Sequence, residues 1–233
     1  MTITTVGLDA DDTLWHNETV FRLTQSRFLD LLTEHENAAI EARLAEIERR
    51  NLQLYGYGVK GFTLSMIETA MEMCNGEPPA GVIREILAAG REMLAHPVET
   101  LPGVDEALTR LFGRYRLVLI TKGDLLDQER KLAASGLGDL FAAVEIVSEK
   151  DRATYERVFT RHGTGPAEAV MVGNSMKSDV LPALQAGAFA VHIPYVVTWA
   201  HELADPPEGH PRYGALHRIE DLPGWIEDRL AQL

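Results

Sequence analysis

The stretch Gly7-Leu8-Asp9-Ala10-Asp11-Asp12-Thr13-Leu14-Trp15, GLDADDTLW over residues 7–15, sets three carboxylates in four consecutive places. They follow Val6-Gly7-Leu8, a short apolar run that reads as a buried strand. Two carboxylates about 4 Å apart repel by roughly 1 kcal/mol in water and about 4 at an effective dielectric of 20. An acidic loop after a strand is often only a turn or a helix cap. A divalent cation and a lysine would instead offset the repulsion and make the cluster a functional site. The rest of the chain has to decide between the two.

Working outward, the pattern from Asn17 to about His96 is helical. Phe21, Phe28, Leu31 and Leu32 recur at helical spacing, as do Ile40, Leu44 and Ile47. The breakers YGYGVKG at 55–61 and NGEPPAG at 75–81 divide this region into roughly four helices. After Leu101-Pro102-Gly103 short apolar runs alternate with helical segments. The runs are 117–120, 144–147, 169–172 and 189–193, and the helices cover 125–135, 153–162 and 180–186. Such alternation predicts an α/β fold with a parallel sheet and helices on its faces. The Val6 strand joins that sheet, so the expected organisation is a core of residues 1–15 and 100–233 interrupted by an all-helical domain, 16–99.

In open sheets of this kind ligands bind beyond the carboxyl ends of the strands. Those ends carry Asp9 and Asp11, then Thr121-Lys122-Gly123, then Glu149-Lys150, then Asn174 with Asp179 after a turn. Parallel strands bring all four sets to one edge.

This ordered set resembles the haloacid dehalogenase-like (HAD) hydrolase superfamily, in its phosphatase type with a helical cap inserted after the first motif. LDADDTL fits the D-x-D-x-T signature, LVLITKG the strand ending in Thr or Ser, Lys150 the lone lysine, and GNSMKSD the motif usually written G-D-x-x-x-x-D. The resemblance covers nearly the whole chain and implies a Rossmann-like core. It implies that Asp9 attacks phosphorus and becomes an aspartyl-phosphate. Asp11 would then protonate the leaving oxygen and later deprotonate water. Thr121 and Lys150 would bind the phosphoryl group, and Mg2+ would rest on Asp9 and the Asp11 carbonyl. Asp12 reads as a structural cap.

Asn174 departs from the pattern, because the family commonly has Asp there as a metal ligand. An amide oxygen ligates a hard cation without adding charge. Asp179 has two readings, a metal ligand acting through water or an orienter of Lys150. Lys122 stands where Asn is common and receives no role. In capped members the cap supplies substrate contacts, which points to YGYGVKGF at 55–62, with Tyr57 and Lys60 as candidate substrate-binding residues; a helix connector with packed aromatics is the plainer reading. His16 can line an entrance, Trp15 reads as packing, and His192, Trp199 and His201 read as surface or packing residues.

The expected activity is hydrolysis of a small phosphorylated metabolite. Alternatives are a phosphomutase with the same catalytic set, a 2-haloacid dehalogenase, and a binding or regulatory member without turnover. Composition agrees with a small-molecule enzyme. The chain has 233 residues, 45% hydrophobic, enough to bury a sizeable core. A formal charge of -13 argues against nucleic acid and anionic membranes as partners. A single cysteine, Cys74, excludes an internal disulfide. With no signal-peptide pattern and no long apolar run, a cytoplasmic location is expected.

Overall fold

Alternation along one strand explains the layers of the sheet unit. In β2 (Arg116–Lys122), Leu117 and Leu119 are buried with Val6, Leu8, Val170, Val172 and Val191, whereas Val118 and Ile120 are buried with Met171, Ala190, Tyr155 and Phe159. Successive side chains of a strand face opposite ways. Both faces of β2 are therefore covered, and its run of apolar residues is that of a buried parallel strand.

The computed structural model describes residues 2–197, 199 and 202–231. Among these residues six strands form one parallel sheet: β1 (Thr5–Leu8), β2, β3 (Ala143–Val147), β4 (Ala169–Gly173), β5 (Phe189–His192) and β6 (Tyr213–Ala215), in the order β3-β2-β1-β4-β5-β6. β1 lies between β2 and β4, pairing Leu8 with Leu119 on one side and with Val172 on the other. The chain order reverses direction at β1, so its carboxyl end, where Asp9 follows, is the topological switch point at which such sheets bind ligands. The Rossmann-like α/β core expected from the sequence is the one observed.

Helices α1 (Glu18–Leu31), α2 (Asn37–Tyr55), α3 (Val59–Met73) and α4 (Ala80–Ala95) lie between β1 and β2 in the chain. The sheet unit adds α5 (Val104–Leu111), α7 (Arg152–His162), α8 (Leu181–Gln185) and α9 (Leu222–Ala231); α6 (Leu125–Ser135) follows β2. The chain divides into two compact units. One holds the residues up to Glu18, Val98–Lys122, and those from Glu129 onward; the other holds Thr19–Pro97 with Gly123–Gln128. No break in the sequence announces that 123–128 group with the second unit. That unit contains no strand among its described residues. Its core gathers Phe28, Leu32, Ile40, Leu44, Phe62, Met66, Ile86 and Met93, the apolar stripes of α1–α4 and their connections.

Candidate active site

Asp9 continues β1 by one residue, and its N–H donates to the Val172 carbonyl at 2.9 Å. Its carboxylate Oδ1 receives the Lys150 ammonium, which also donates to Asp179 Oδ1 at 2.7 Å. Lys150 comes from the loop after β3, and Asp179 from a single π-turn, Met176–Val180, after β4. The second Asp179 oxygen accepts from the Ser175 N–H at 2.9 Å. A Cβ at Gly173 would lie 2.2 Å from Asp179 Oδ2, so only glycine lets the turn fold back this closely.

All three charged groups are buried, with Asp9 7%, Lys150 5% and Asp179 1% exposed. Burial, reinforced by the Asp179 charge, pushes the Asp9 carboxyl up to about 7 although Lys150 opposes the shift. Burial by itself would lower Lys150; the Asp179 and Asp9 carboxylates outweigh it and hold the ammonium above the ordinary lysine value. Both Asp179 oxygens are engaged by protein donors, which matches the role of orienting Lys150.

Asn174 closes the other side of Asp9. Its side-chain amide comes within 3.2 Å of Asp9 Oδ2 and 3.3 Å of the Asp11 carbonyl and Thr13 Oγ1, three groups that would accept from the amide NH2 if it were the end turned toward them. Thr13 Oγ1 takes the Asn174 backbone N–H at 3.1 Å and donates to Asp9 Oδ2 at 3.3 Å. His192 Nε2 pins the Asn174 carbonyl at 2.9 Å. Asp9, the Asp11 carbonyl and the Asn174 amide thus surround one point, a set of hard donors for an oxygen-preferring cation once the amide turns its oxygen inward. Among the described residues no three His, Cys, Asp or Glu side chains group as a metal site.

The Asp11 side chain is held separately. Its Oδ1 receives the Trp15 indole N–H at 2.7 Å and the Lys131 ammonium at 2.6 Å, and Lys131 also meets Asn17 Oδ1 at 3.2 Å. The loop closes on itself through Asp12 N–H to the Trp15 carbonyl and Leu14 N–H to the Ala10 carbonyl, both 2.8 Å. Asp12 occupies the left-handed region with φ 61°, tolerated by Asp and Asn. Its carboxylate caps the start of α1, accepting from Asn17 and Glu18 N–H at 2.9 and 3.0 Å. Burial raises its carboxyl to about 7 despite these amides.

A third cluster joins the first through Ser175, whose N–H holds Asp179. Lys122 Nζ donates to Ser178 Oγ at 2.9 Å and to Glu202 Oε1 at 2.7 Å, and both Ser175 Oγ and Ser178 Oγ donate to Glu202 Oε2. Burial works against the Glu202 charge, but Lys122 and the two hydroxyls hold its carboxyl below the ordinary range. Tyr155 OH donates to the Ser178 carbonyl at 2.8 Å, fixing the same turn from α7.

The structure brings Asp9, Lys150, Asn174 and Asp179 into one contiguous cluster. Asp11 contributes its carbonyl there and its carboxylate to Lys131. Thr121 stands buried at the end of β2, its hydroxyl donating to the Lys122 carbonyl at 3.2 Å. In the helical unit Lys60 pairs with Asp124 at 2.8 Å, Tyr57 is half-buried, and Phe62 belongs to the core, packed 5.2 Å from Phe21. His16 Nδ1 meets Tyr195 OH at 2.6 Å; His201 lies outside the described residues. Sequence reasoning gives no role to Thr13, Lys131, Ser175, Ser178 or Glu202, and treats Trp15 as packing alone. Trp15 is indeed fully buried, yet its indole also anchors Asp11.

The haloacid dehalogenase-like hydrolase family pattern matches residues 3–187. No curated protein matches the chain. Among solved structures, a haloacid dehalogenase-like family hydrolase from Xanthomonas campestris is 40% identical, with 99% of this chain and 93% of that one covered and a TM-score of 0.89. A HAD hydrolase of Bacillus subtilis bound to magnesium is 18% identical, covering 97% and 99%, at a TM-score of 0.66. The L-2-haloacid dehalogenase of Xanthobacter autotrophicus, with chloropropionic acid covalently bound, is 15% identical, covering 97% and 99%, at 0.65. These last two share the fold, and the fold serves more than one reaction. With its motifs in order at the sheet edge, this chain belongs to the haloacid dehalogenase-like hydrolases.

Proposed function

We propose that the protein is a magnesium-dependent phosphatase that hydrolyses a small phosphorylated metabolite through an aspartyl-phosphate on Asp9. The observation that carries this reading is Asp11. A halide leaves carbon as a stable anion and needs no proton, whereas an alkoxide leaving phosphorus does. A second carboxyl two residues from the nucleophile, anchored by Lys131 and Trp15, is called for as a proton donor to the leaving group only in the second reaction.

In the proposed mechanism Asp9 attacks in line while Asp11 protonates the leaving oxygen; Asp11 then takes a proton from the water that releases phosphate. Lys150, aligned by Asp179, offsets charge between Asp9 and the phosphoryl group. Thr121 donates to a phosphoryl oxygen. Asp9, the Asp11 carbonyl and Asn174 would hold the metal, which when bound supplies charge compensation for the phosphoryl oxygens. The charge inventory favours such an ion. With Asp11 protonated for its role as acid, the carboxylates of Asp9, Asp179 and Glu202 stand, among the described residues of these clusters, against the ammoniums of Lys150, Lys131 and Lys122. A dianionic phosphate would otherwise enter a site with no positive charge to spare.

The uncharged Asn174 favours a second reading, metal-free dehalogenation, because its NH2, turned toward Asp9, would satisfy that carboxylate without a cation. Phosphate release from an aryl phosphate and chloride release from 2-chloropropionate separate the two, each measured with magnesium and with chelator, in wild type and Asp11→Asn. Magnesium-dependent phosphate release that collapses in Asp11→Asn is expected. Chloride release that persists with chelator and in the variant would replace the phosphatase reading by the dehalogenase one.

A further inference from the structure

We infer that Lys131 is a positioning residue for the proton-transferring carboxyl of Asp11, an assignment that rests on the phosphatase reading above. Helix α6 is inverted over its first half. Leu125 and Leu126 are 60% and 68% exposed, while Asp127, Gln128 and Lys131 are 6%, 3% and 9% exposed. An amphipathic helix ordinarily buries its leucines and exposes such residues. A buried ammonium is costly unless it is paired and hydrogen-bonded. Lys131 meets that condition through Asp11 Oδ1 at 2.6 Å and Asn17 Oδ1 at 3.2 Å.

The Trp15 indole N–H reaches the same Asp11 oxygen at 2.7 Å. Two donors from different directions fix the plane of the carboxyl as well as its position. A proton on Oδ1 would face both donors, so the proton to be transferred belongs on Oδ2. Trp15 is itself fully buried and tied into the loop by its backbone. Lys131 completes the clamp from a separate segment of chain. A general acid works only within hydrogen-bond reach of the atom it protonates, so the clamp controls how well Asp11 serves a poor leaving group.

The test compares kcat/KM for 4-nitrophenyl phosphate, whose leaving group needs little protonation, with that for phenyl phosphate, whose leaving group needs more. This ratio reports the steps through phosphoryl transfer to Asp9, so later hydrolysis does not enter. Lys131→Met should cost about 10- to 100-fold on phenyl phosphate and no more than about 3-fold on the nitrophenyl ester. Lys131→Arg, which keeps charge and donors, should restore most of the difference. In an Asp11→Asn background Lys131→Met should change neither ester further, since it acts through Asp11. Asn17→Ala, at a half-buried position, loosens Lys131 without removing it and should move the two esters apart in the same direction, keeping the test decisive if Lys131→Met does not fold. Equal losses on both esters, or none, overturn the role of Lys131 and leave the phosphatase reading intact. A wild type inactive on both esters overturns the phosphatase reading, and the role of Lys131 with it.

Discussion

In the helical unit Arg27, Arg43 and Arg50 meet Glu85, Glu92, Glu72 and Glu68 with arginine side chains 42%, 31% and 55% exposed. In the sheet unit Lys150 meets Asp9 and Asp179 with side chains 3%, 10% and 1% exposed. The buried polar side chains of α2 and α3 are uncharged: Asn51 donates to Ser65 at 3.1 Å, and Ser65 and Thr69 donate to carbonyls one turn back. Exposed ion pairs of the first kind stabilise little. Buried ones carry a desolvation cost that well-packed apolar residues would avoid. The sheet unit bears that cost at the carboxyl end of β1 and at neighbouring strand ends, where the fold makes its binding crevice. The difference marks where chemistry, rather than stability, selected the residues.

Substitutions can break this contrast, beginning with the most severe. Asp9→Asn keeps the size of the side chain but removes the nucleophile, and turnover should fall by at least about 10,000-fold while circular dichroism stays unchanged. Lys150→Met should lower kcat/KM by about 100- to 1,000-fold. It should also destabilise the fold by about 3–5 kcal/mol in denaturant titration, because Asp9 and Asp179 are left buried against each other. A stable, active Lys150→Met would show that the buried pair is ordinary packing.

Asn174→Asp should tighten magnesium binding about tenfold by calorimetry, the effect of roughly 1.4 kcal/mol from one added charge. Unchanged affinity would remove Asn174 from the metal shell.

Asp12 gives a pH-dependent test. Its carboxyl rises from the ordinary 3.8 to about 7 in the folded chain, chiefly through burial. Between those values the folded state holds a proton that the unfolded state has released. The stability linked to this group is therefore present at low pH and is lost as pH rises through about 7. Asp12→Asn suits the left-handed backbone and cannot ionise, so its melting temperature should gain on wild type between pH 5 and pH 8, by about 2–4 °C for each kcal/mol. A constant difference across that range would contradict the burial argument. At the mild end, Arg50→Ala should shift the melting temperature by no more than about 2 °C.

How much of this was legible in the sequence depends on locality. Asp9, Asp11, Thr121, Lys150 and Asn174 each sit at the carboxyl end of an apolar strand or within three residues past it, so hydrophobic pattern and chain order suffice to gather them. Helix α5 buries Val104, Ala107, Leu108 and Leu111 at i, i+3, i+4 and i+7, although the breaker Leu101-Pro102-Gly103 masks its start. Helix α9 is harder, because Pro223 and Gly224 in its first turn read as a loop. Strand β6 is three residues, Tyr213-Gly214-Ala215, too short to show a period. Lys131 and Glu202 reach the site from segments with no strand-end signal. The only trace of Lys131 is the inverted pattern of α6, where polar residues hold the positions leucines would ordinarily take.

On the proposed mechanism Asp9 carries a phosphoryl group during turnover. Mixing the enzyme with an aryl phosphate and magnesium, quenching in acid within milliseconds and mapping peptides by mass tests it directly. One phosphoryl group is expected on the peptide that bears Asp9, and none in Asp9→Asn. Steady turnover with no phosphoryl group trapped there, or with the group on another residue, would contradict it.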